Sequence, residues 1–232
     1  MLDYHIHITR LPHPENISSI LVERGYRANI IACTPKEWVE TVAILPIWKD
    51  FATPCFGIHP MEGLFPQKKL PHLYELLENH PKAFVGECGL DKRFPGYELG
   101  SFQEKSFILQ AKLALEFKRP LMIHCVGDYR RILSILEDIG YPQEDSPIIF
   151  HRFGGDKETV IRGLQLNAIF SLHANSRKKA STRDAIPLIP KSSLRFETDA
   201  DESFVPKFFK ESSPTASAIA DKLIEELSKI QF

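Results

Sequence analysis

Leu2-Asp3-Tyr4-His5-Ile6-His7 is the stretch on which the reading of the fold turns. It is short, largely apolar, and closes on two histidines spaced i and i+2. Side chains alternate along a β-strand, so such a pair shares one face. A strand over Leu2–Ile6 therefore delivers two imidazoles to one place. A lone His-x-His is weak evidence, and its weight depends on whether the chain repeats the pattern.

The pattern recurs. Further short apolar runs lie at Asn29–Cys33, Pro54–Ile58, Ala83–Cys88, Pro120–Cys125, Pro147–Phe150, Ala168–Leu172 and Leu194–Thr198. The segments between them read mainly as helices. Phe102–Phe117 follows Ser101, a candidate N-cap. Asp128–Ile139 and Asp156–Leu166 look similar, Pro71–Asn79 is shorter, and Thr215–Ile230 follows Pro214. The segment after the second run is less regular but contains Glu37–Val42. Ser176–Thr182, polar and basic, reads as a loop. Strand followed by helix implies a parallel sheet. Eight such units imply a single (β/α)8 TIM barrel with its active site at the C-terminal ends of the strands. An open doubly wound sheet is the alternative, but it brings a ligand to a switch point rather than chemistry to many strand ends. No linker, repeat or low-complexity tract marks a second domain, so residues 1–232 read as one.

The run ends carry the chemistry. The first ends in His5 and His7, the third runs into His59, and the fourth closes on Glu87. The fifth ends on His124, the sixth on His151, the seventh leads to His173, and the eighth finishes at Asp199. Six of the nine histidines thus fall on one rim, with two carboxylates. That ligand mixture suits zinc, manganese, iron or nickel more than calcium. Glu87 has two oxygens and can bridge two cations, or else pair with an arginine. Gly86 and Gly89 beside it let backbone or ligand approach closely. His124 and His151 each read as a ligand or a satisfied core histidine, and the rim position favours the first. Asp199 reads as a ligand that also holds a water, or as a structural cap. His59 belongs near the site without being a ligand, and His173 stays open between rim and loop. His13, His72 and His80 read as surface residues.

Composition narrows the classes. The 232 residues are 43% hydrophobic and 25% charged, with a net charge of -1, so a sizeable core is affordable and no global basic field is present. Basic residues do follow several strand ends: Lys92, Arg93, Arg130, Arg131, Arg152, Arg177, Lys178 and Lys179. Arg152 and Arg177 are the candidates for substrate contact, although nearby acids dilute the patch and the charges read equally as solvated loops. No apolar run approaches the ~20 residues of a membrane span, and no signal-peptide pattern precedes Asp3. The expectation is a cytoplasmic protein with no membrane and no obligate protein partner. The four cysteines lack a CxxC pair and read as small buried residues in a reducing compartment. Neither a Gly-x-Ser-x-Gly elbow nor a P-loop is found.

Taken together, the segments Asp3–His7, Gly57–Pro60, Gly86–Asp91, Pro120–His124, His151–Gly155 and Glu197–Ala200, with Gln103, resemble the TatD family of metal-dependent deoxyribonucleases, within the amidohydrolase-like barrels. The resemblance runs from residue 1 to about 204 and keeps six motifs in order. It implies two divalent cations (Zn, Mg or Mn). His5 and His7 would hold the first together with Asp199, Glu87 would bridge, and His124 and His151 would hold the second. Catalysis would fall to Asp199 and Glu87 with a metal-activated water, and His59 would contact substrate. The implied substrate is DNA, single-stranded or at 3′ ends, or another phosphate ester. Hydrolysis of another ester or amide bond on the same binuclear site is the alternative, and a non-catalytic domain is a third reading. The sequence departs from the family pattern at Cys125-Val126-Gly127, where an arginine is common after the histidine. It also departs at Met61, where a second histidine is common, and at Asp201-Glu202, where Pro-Tyr is common. No Asn-Glu-Pro motif is found. These departures alter the rim that would read the substrate and remove no predicted ligand.

Overall fold

Eight parallel strands form one sheet in strict chain order. They are β1 Leu2–Ile6, β2 Arg27–Ala32, β3 Ala52–Phe56, β4 Phe84–Asp91, β5 Leu121–Val126, β6 Ile148–Phe150, β7 Ile169–Leu172 and β8 Leu194–Phe196. The helices are α1 Pro14–Glu23, α2 Pro35–Trp48, α3 Leu70–Asn79, α4 Phe102–Phe117, α5 Tyr129–Asp138, α6 Lys157–Gln165, α7 Ala180–Ala185, α8 Phe204–Phe208 and α9 Ala216–Gln231. The structure, a computed structural model, describes residues 1–62, 68–210 and 213–231. Each strand pairs with the next in sequence. The ring is joined between its first and last members by Asp199 N–H to His5 O and His7 N–H to Ala200 O, both 2.9 Å. This is the closed β/α barrel that the sequence implied.

The interior is packed rather than hollow. Ile31, Cys33, Cys55, Met122 and Ile149, from four strands, form a buried plug along the axis. Two larger clusters fill the space between sheet and helices, one around Phe56, Phe107, Phe150 and Phe170 and one around Ile6, Leu21, Trp48 and Leu223. The strand ends therefore stand on a packed, largely apolar floor.

Helix starts follow local chemistry. Asp128 accepts from Arg130 N and Arg131 N at the start of α5, and Asp156 accepts from Thr159 N at the start of α6. Thr34 accepts from Glu37 N, with Pro35 in the first turn of α2. Ser101 stands at the N-cap of α4 but bonds Gly96 O instead of a helix N–H. Helix α2 extends well beyond Glu37–Val42 and accommodates Pro46. The expected loop Ser176–Thr182 is cut short by α7, which begins at Ala180.

Two strands depart from strict alternation, both at predicted ligands. Between Asp3 and Ile6, β1 advances three residues while β2 advances two, Ala28 to Ile30. Between Val85 and Cys88, β4 likewise advances three against the two of Leu121 to Ile123 in β5. A bulge of one residue re-aims a side chain and bends its strand. His5 and Glu87 sit in these two bulges. Moreover, β4 does not close on Glu87 but runs on to Asp91. Gly86 and Gly89 have φ of +135° and +150°, and a Cβ would meet Met122 O at 2.4 Å and His124 O at 1.9 Å. The close approach that these glycines permit is therefore to the backbone of β5.

Candidate metal centre

His5 and His7 are set by β1 and by the first residue beyond it. Their Nε2 atoms lie 3.3 Å apart. Glu87 Oε2 lies 3.3 Å from His5 Nε2 and 3.6 Å from His7 Nε2. Asp199 Oδ1 lies 3.7 Å from each. Asp199 reaches this position from the turn after β8, with a left-handed φ of +49°. That conformation is costly for a residue with a Cβ and is held here by the Asp199 N–H bond to His5 O. The Nδ1 atoms of both histidines are buried and have no hydrogen-bond partner among the described residues.

The other oxygen of Glu87 faces a second group. Oε1 lies 2.5 Å from His124 Nδ1 and 2.7 Å from His151 Nε2, and those two nitrogens are 3.1 Å apart. Here each imidazole has a carboxylate behind it. His124 Nε2 is 2.9 Å from Asp91 Oδ2, and His151 Nδ1 is 3.3 Å from Glu197 Oε1. An N–H given to a carboxylate leaves the opposite ring nitrogen with its lone pair toward the centre. His59 shows the reverse. Its Nδ1 accepts Met61 N–H at 3.0 Å, which puts the ring proton on Nε2, 3.6 Å from Glu87 Oε1. His59 is thus a donor facing the centre rather than a lone pair.

The electrostatics agree. Burial alone would raise the Glu87 carboxyl, but the imidazoles of His151, His5, His124 and His59 outweigh it and hold the group well below the carboxylate range. Burial would lower His124 and His151, yet the Glu87 charge, with Asp91 behind one and Glu197 behind the other, carries both above an ordinary imidazole. Burial and the neighbouring His5 push His7 well down, and burial with His124 pushes His59 down to about 3. The carboxylate field that favours a proton on His124 and His151 favours a cation more, because a divalent ion carries more charge.

These residues fit a metal. Donor atoms bound at about 2.1 Å to one tetrahedral cation lie about 3.4 Å from each other. His5 and His7 lie 3.3 Å from each other, and their separations from Glu87 Oε2 and Asp199 Oδ1 run from 3.3 to 3.7 Å. A single proton between His5 Nε2 and His7 Nε2 would pair those two atoms alone, whereas a cation can take both lone pairs together with the oxygens of Glu87 and Asp199. His5, His7 and Asp199 form one group able to hold an ion, and Glu87 joins others with His5 and His151 and with His59 and His124. The second set, at 2.5 to 3.1 Å, is tighter but offers the same donor types.

A pocket of about 340 Å³ opens over this centre. Its wall includes three arginines, Arg10, Arg93 and Arg152, each tied to a carboxylate. Arg10 pairs with Glu37 at 2.9 Å, Arg93 with Asp91 at 2.5 Å and Arg152 with Asp199 at 2.6 Å. Arg152 is half exposed and, like Asp199, has a positive φ, +44°. Arg177, expected at the substrate, is exposed, and it is not among the residues described as lining the pocket. Arg130 and Arg131 turn instead to Glu158 and Glu104. His173 is buried just beyond β7, with its Nδ1 accepting Asn175 N–H at 3.1 Å.

Sequence reasoning passed over several working residues. Asp91 and Glu197 are marked in the sequence only by spacing, since Asp91 follows Glu87 by four and Glu197 precedes Asp199 by two, the period of one strand face. Asp3 was also passed over. It accepts from His5 N, Thr198 N, Thr198 Oγ1 and Tyr26 OH, at 3.2, 3.0, 2.5 and 2.7 Å. Burial raises its carboxyl to about 6 despite those bonds. Arg10 and Glu37 carry no local pattern except the Thr34-x-x-Glu37 helix-start signature. Gln103 clamps the loop after β4 through Asp91 N and O and the carbonyls of Phe94 and Pro95. One helical face further on, Gln110 does the same for Ile58, next to His59.

Comparison with known proteins bears on the same centre. The model of the TatD related DNase family matches residues 2–231. The chain is 24% identical over 217 residues to the human deoxyribonuclease TATDN3, covering 86% of this chain and 77% of that protein. It is 29% identical over 149 residues to the 3'-5' ssDNA/RNA exonuclease TatD of Escherichia fergusonii, covering 62% of this chain and 56% of the relative. Among solved structures, the TatD homologue YJJV of Escherichia coli superposes with a TM-score of 0.77 at 22% identity, over 99% of this chain and 97% of the other. With a family match across nearly its whole length and the barrel to go with it, this chain belongs to the TatD related DNase family.

Proposed function

We propose that this chain is a divalent-metal-dependent nuclease that removes nucleotides from DNA, acting on single strands or 3′ ends as one barrel domain. The observation that carries the reading is the division of Glu87. One oxygen faces His5 and His7, the pair that Asp199 also approaches, and the other faces His124 and His151. A bridging carboxylate with separate nitrogen sets on its two oxygens is an arrangement for two cations. His5, His7 and Asp199 would hold one, and His124 and His151 the other. Zinc, manganese or magnesium would supply Lewis acidity, lowering the pKa of a water and screening the negative charge of a phosphodiester. The relatives named as a deoxyribonuclease and as a 3'-5' ssDNA/RNA exonuclease support the phosphodiester reading.

The protein's own groups have separable tasks. Asp199 keeps Oδ1 toward the histidine pair while Oδ2 holds Arg152, so it can orient a water and take its proton. His59, neutral with its proton on Nε2, donates to an oxygen of the bound phosphate. Arg152 and Arg93 lie at the pocket wall, where a guanidinium can exchange part of its carboxylate pairing for a phosphate. Arg177 would contact more distant phosphates of a longer strand.

The test is activity on an end-labelled single-stranded oligonucleotide with Mg²⁺, Mn²⁺ or Zn²⁺, comparing the protein with Glu87→Ala. Stepwise shortening by the unaltered protein is expected, with a loss of at least about 10²–10³-fold in the variant. An unaltered protein inert with all three cations would overturn the nuclease reading and direct attention to other esters and amides.

A further inference from the structure

Cys33 stands one residue beyond β2, a strand end for which neither the sequence nor the resemblance supplied a ligand. The thiol is 1% exposed, yet it lines the pocket over the centre. Its Sγ lies 3.6 Å from Glu87 Oε2, the oxygen that faces His5 and His7. Sγ, Glu87 and a His7 ring nitrogen form a group whose donor atoms all lie within 4.8 Å of one another. A sulfur at about 2.3 Å and an oxygen at about 2.1 Å from one tetrahedral cation are about 3.6 Å apart. The thiol is therefore placed at ligand spacing from the carboxylate.

The position is built rather than incidental. Cys33 N–H donates to Glu37 Oε2 at 2.6 Å. The other oxygen of Glu37 accepts from Arg10, and Thr34 caps the same helix start. The reciprocal bonds of this helix-start motif hold the backbone of Cys33 rigid, and its side chain is left to face the centre. Cys33 shares the packed interior with Cys55, but of the three buried thiols Cys33, Cys55 and Cys88 it is the one that also lines the pocket.

We infer that Cys33 is a sulfur ligand to the cation held by His5, His7 and Asp199, and that it biases this position toward zinc-like ions over magnesium. The inference rests on the proposal that the centre binds cations. Binding would break the S–H bond and form a sulfur–metal bond, with the proton leaving to solvent through the pocket. Thiolate favours zinc, iron or cobalt, whereas carboxylate and water alone suit magnesium and manganese. Removing the sulfur should lower zinc affinity by about tenfold or more and change manganese affinity much less.

The experiment uses the intact protein loaded with Co²⁺, read by absorption spectroscopy. A sulfur-to-cobalt charge-transfer band in the near ultraviolet is expected, alongside ligand-field bands in the visible. In Cys33→Ser the charge-transfer band should vanish while the ligand-field bands remain, which also shows that the variant keeps its site. X-ray absorption on zinc-loaded unaltered protein needs no variant and should show a sulfur shell at about 2.3 Å beside the nitrogen and oxygen shell. Ligand-field bands without charge transfer, a charge-transfer band that survives in Cys33→Ser, or zinc without a sulfur shell would each overturn the inference and leave the nuclease reading standing. Absence of ligand-field bands in the unaltered protein would overturn both.

Discussion

The two halves of the centre are held in different ways. At the β1–β8 corner, the side chains of His5 and His7 have no partner behind them among the described residues, and their Nδ1 atoms are bare. What is held there is the main chain: Asp3 gathers His5 N, Thr198 N, Thr198 Oγ1 and Tyr26 OH. At the β5–β6 corner the order is reversed. Asp91 bonds the imidazole of His124 directly, and Glu197 places its charge 3.3 Å from His151 Nδ1 without a hydrogen bond between them. One corner is thus part of the barrel's closure, and the other is a side-chain assembly laid on a finished barrel. The lesson is that a ligand can be oriented through its backbone or through its ring, and that the two routes fail differently.

The comparison gives separable consequences. The largest effect belongs to Asp3. Asp3→Ala leaves buried N–H and O–H groups unpaired where the barrel closes, and should lower unfolding free energy by about 3 kcal/mol. Denaturant melts of the protein without added metal measure it, and a loss under about 1 kcal/mol would mean the closure does not depend on this carboxylate. Next comes Asp91→Asn, which weakens the hold on His124 while leaving the barrel joined. Cation affinity should fall about 10–100-fold with little change in the melt. Calorimetric titration with zinc decides between this and a purely structural role, in which the melt would shift and the affinity would not. The smallest effect is expected at Arg152, half exposed and already paired with Asp199. Arg152→Ala should raise KM for an oligonucleotide a few-fold and reduce its salt dependence, with kcat changed less. A larger fall in kcat than in affinity would instead make Arg152 a positioning residue for Asp199.

The fold and the main ligand types were legible along the chain because each depends on local pattern. Alternation, run length and helical spacing predict eight strand–helix units, and in a closed barrel every strand end must face the same rim. His5, His7, Glu87, His124, His151 and Asp199 could therefore be picked out as one constellation, and the structure does bring their donor atoms together. Strand ends were less legible. Glu87 was read as the end of its strand, but β4 continues to Asp91 because its pairing with β5 resumes after the bulge. A one-residue slip in register leaves no mark in an apolar run.

Only the tertiary structure decided which neighbours complete the centre. Asp91, Glu197 and Asp3 act across strands, and Glu37, Arg10 and Cys33 meet through a helix start and two loops. Their roles depend on distances of a few ångströms between residues far apart in the chain. Arg177 makes the same point: its basic run suits phosphate, and only the folded chain shows that it stands exposed three residues before α7, outside the residues that line the pocket. Sequence by itself determined the barrel and the kinds of donor at its rim, because periodicity and residue chemistry are local. Which nitrogen faces a carboxylate, which oxygen of Glu87 faces which histidines, and which thiol approaches the centre are properties of closure, where strands that never adjoin in sequence are forced side by side.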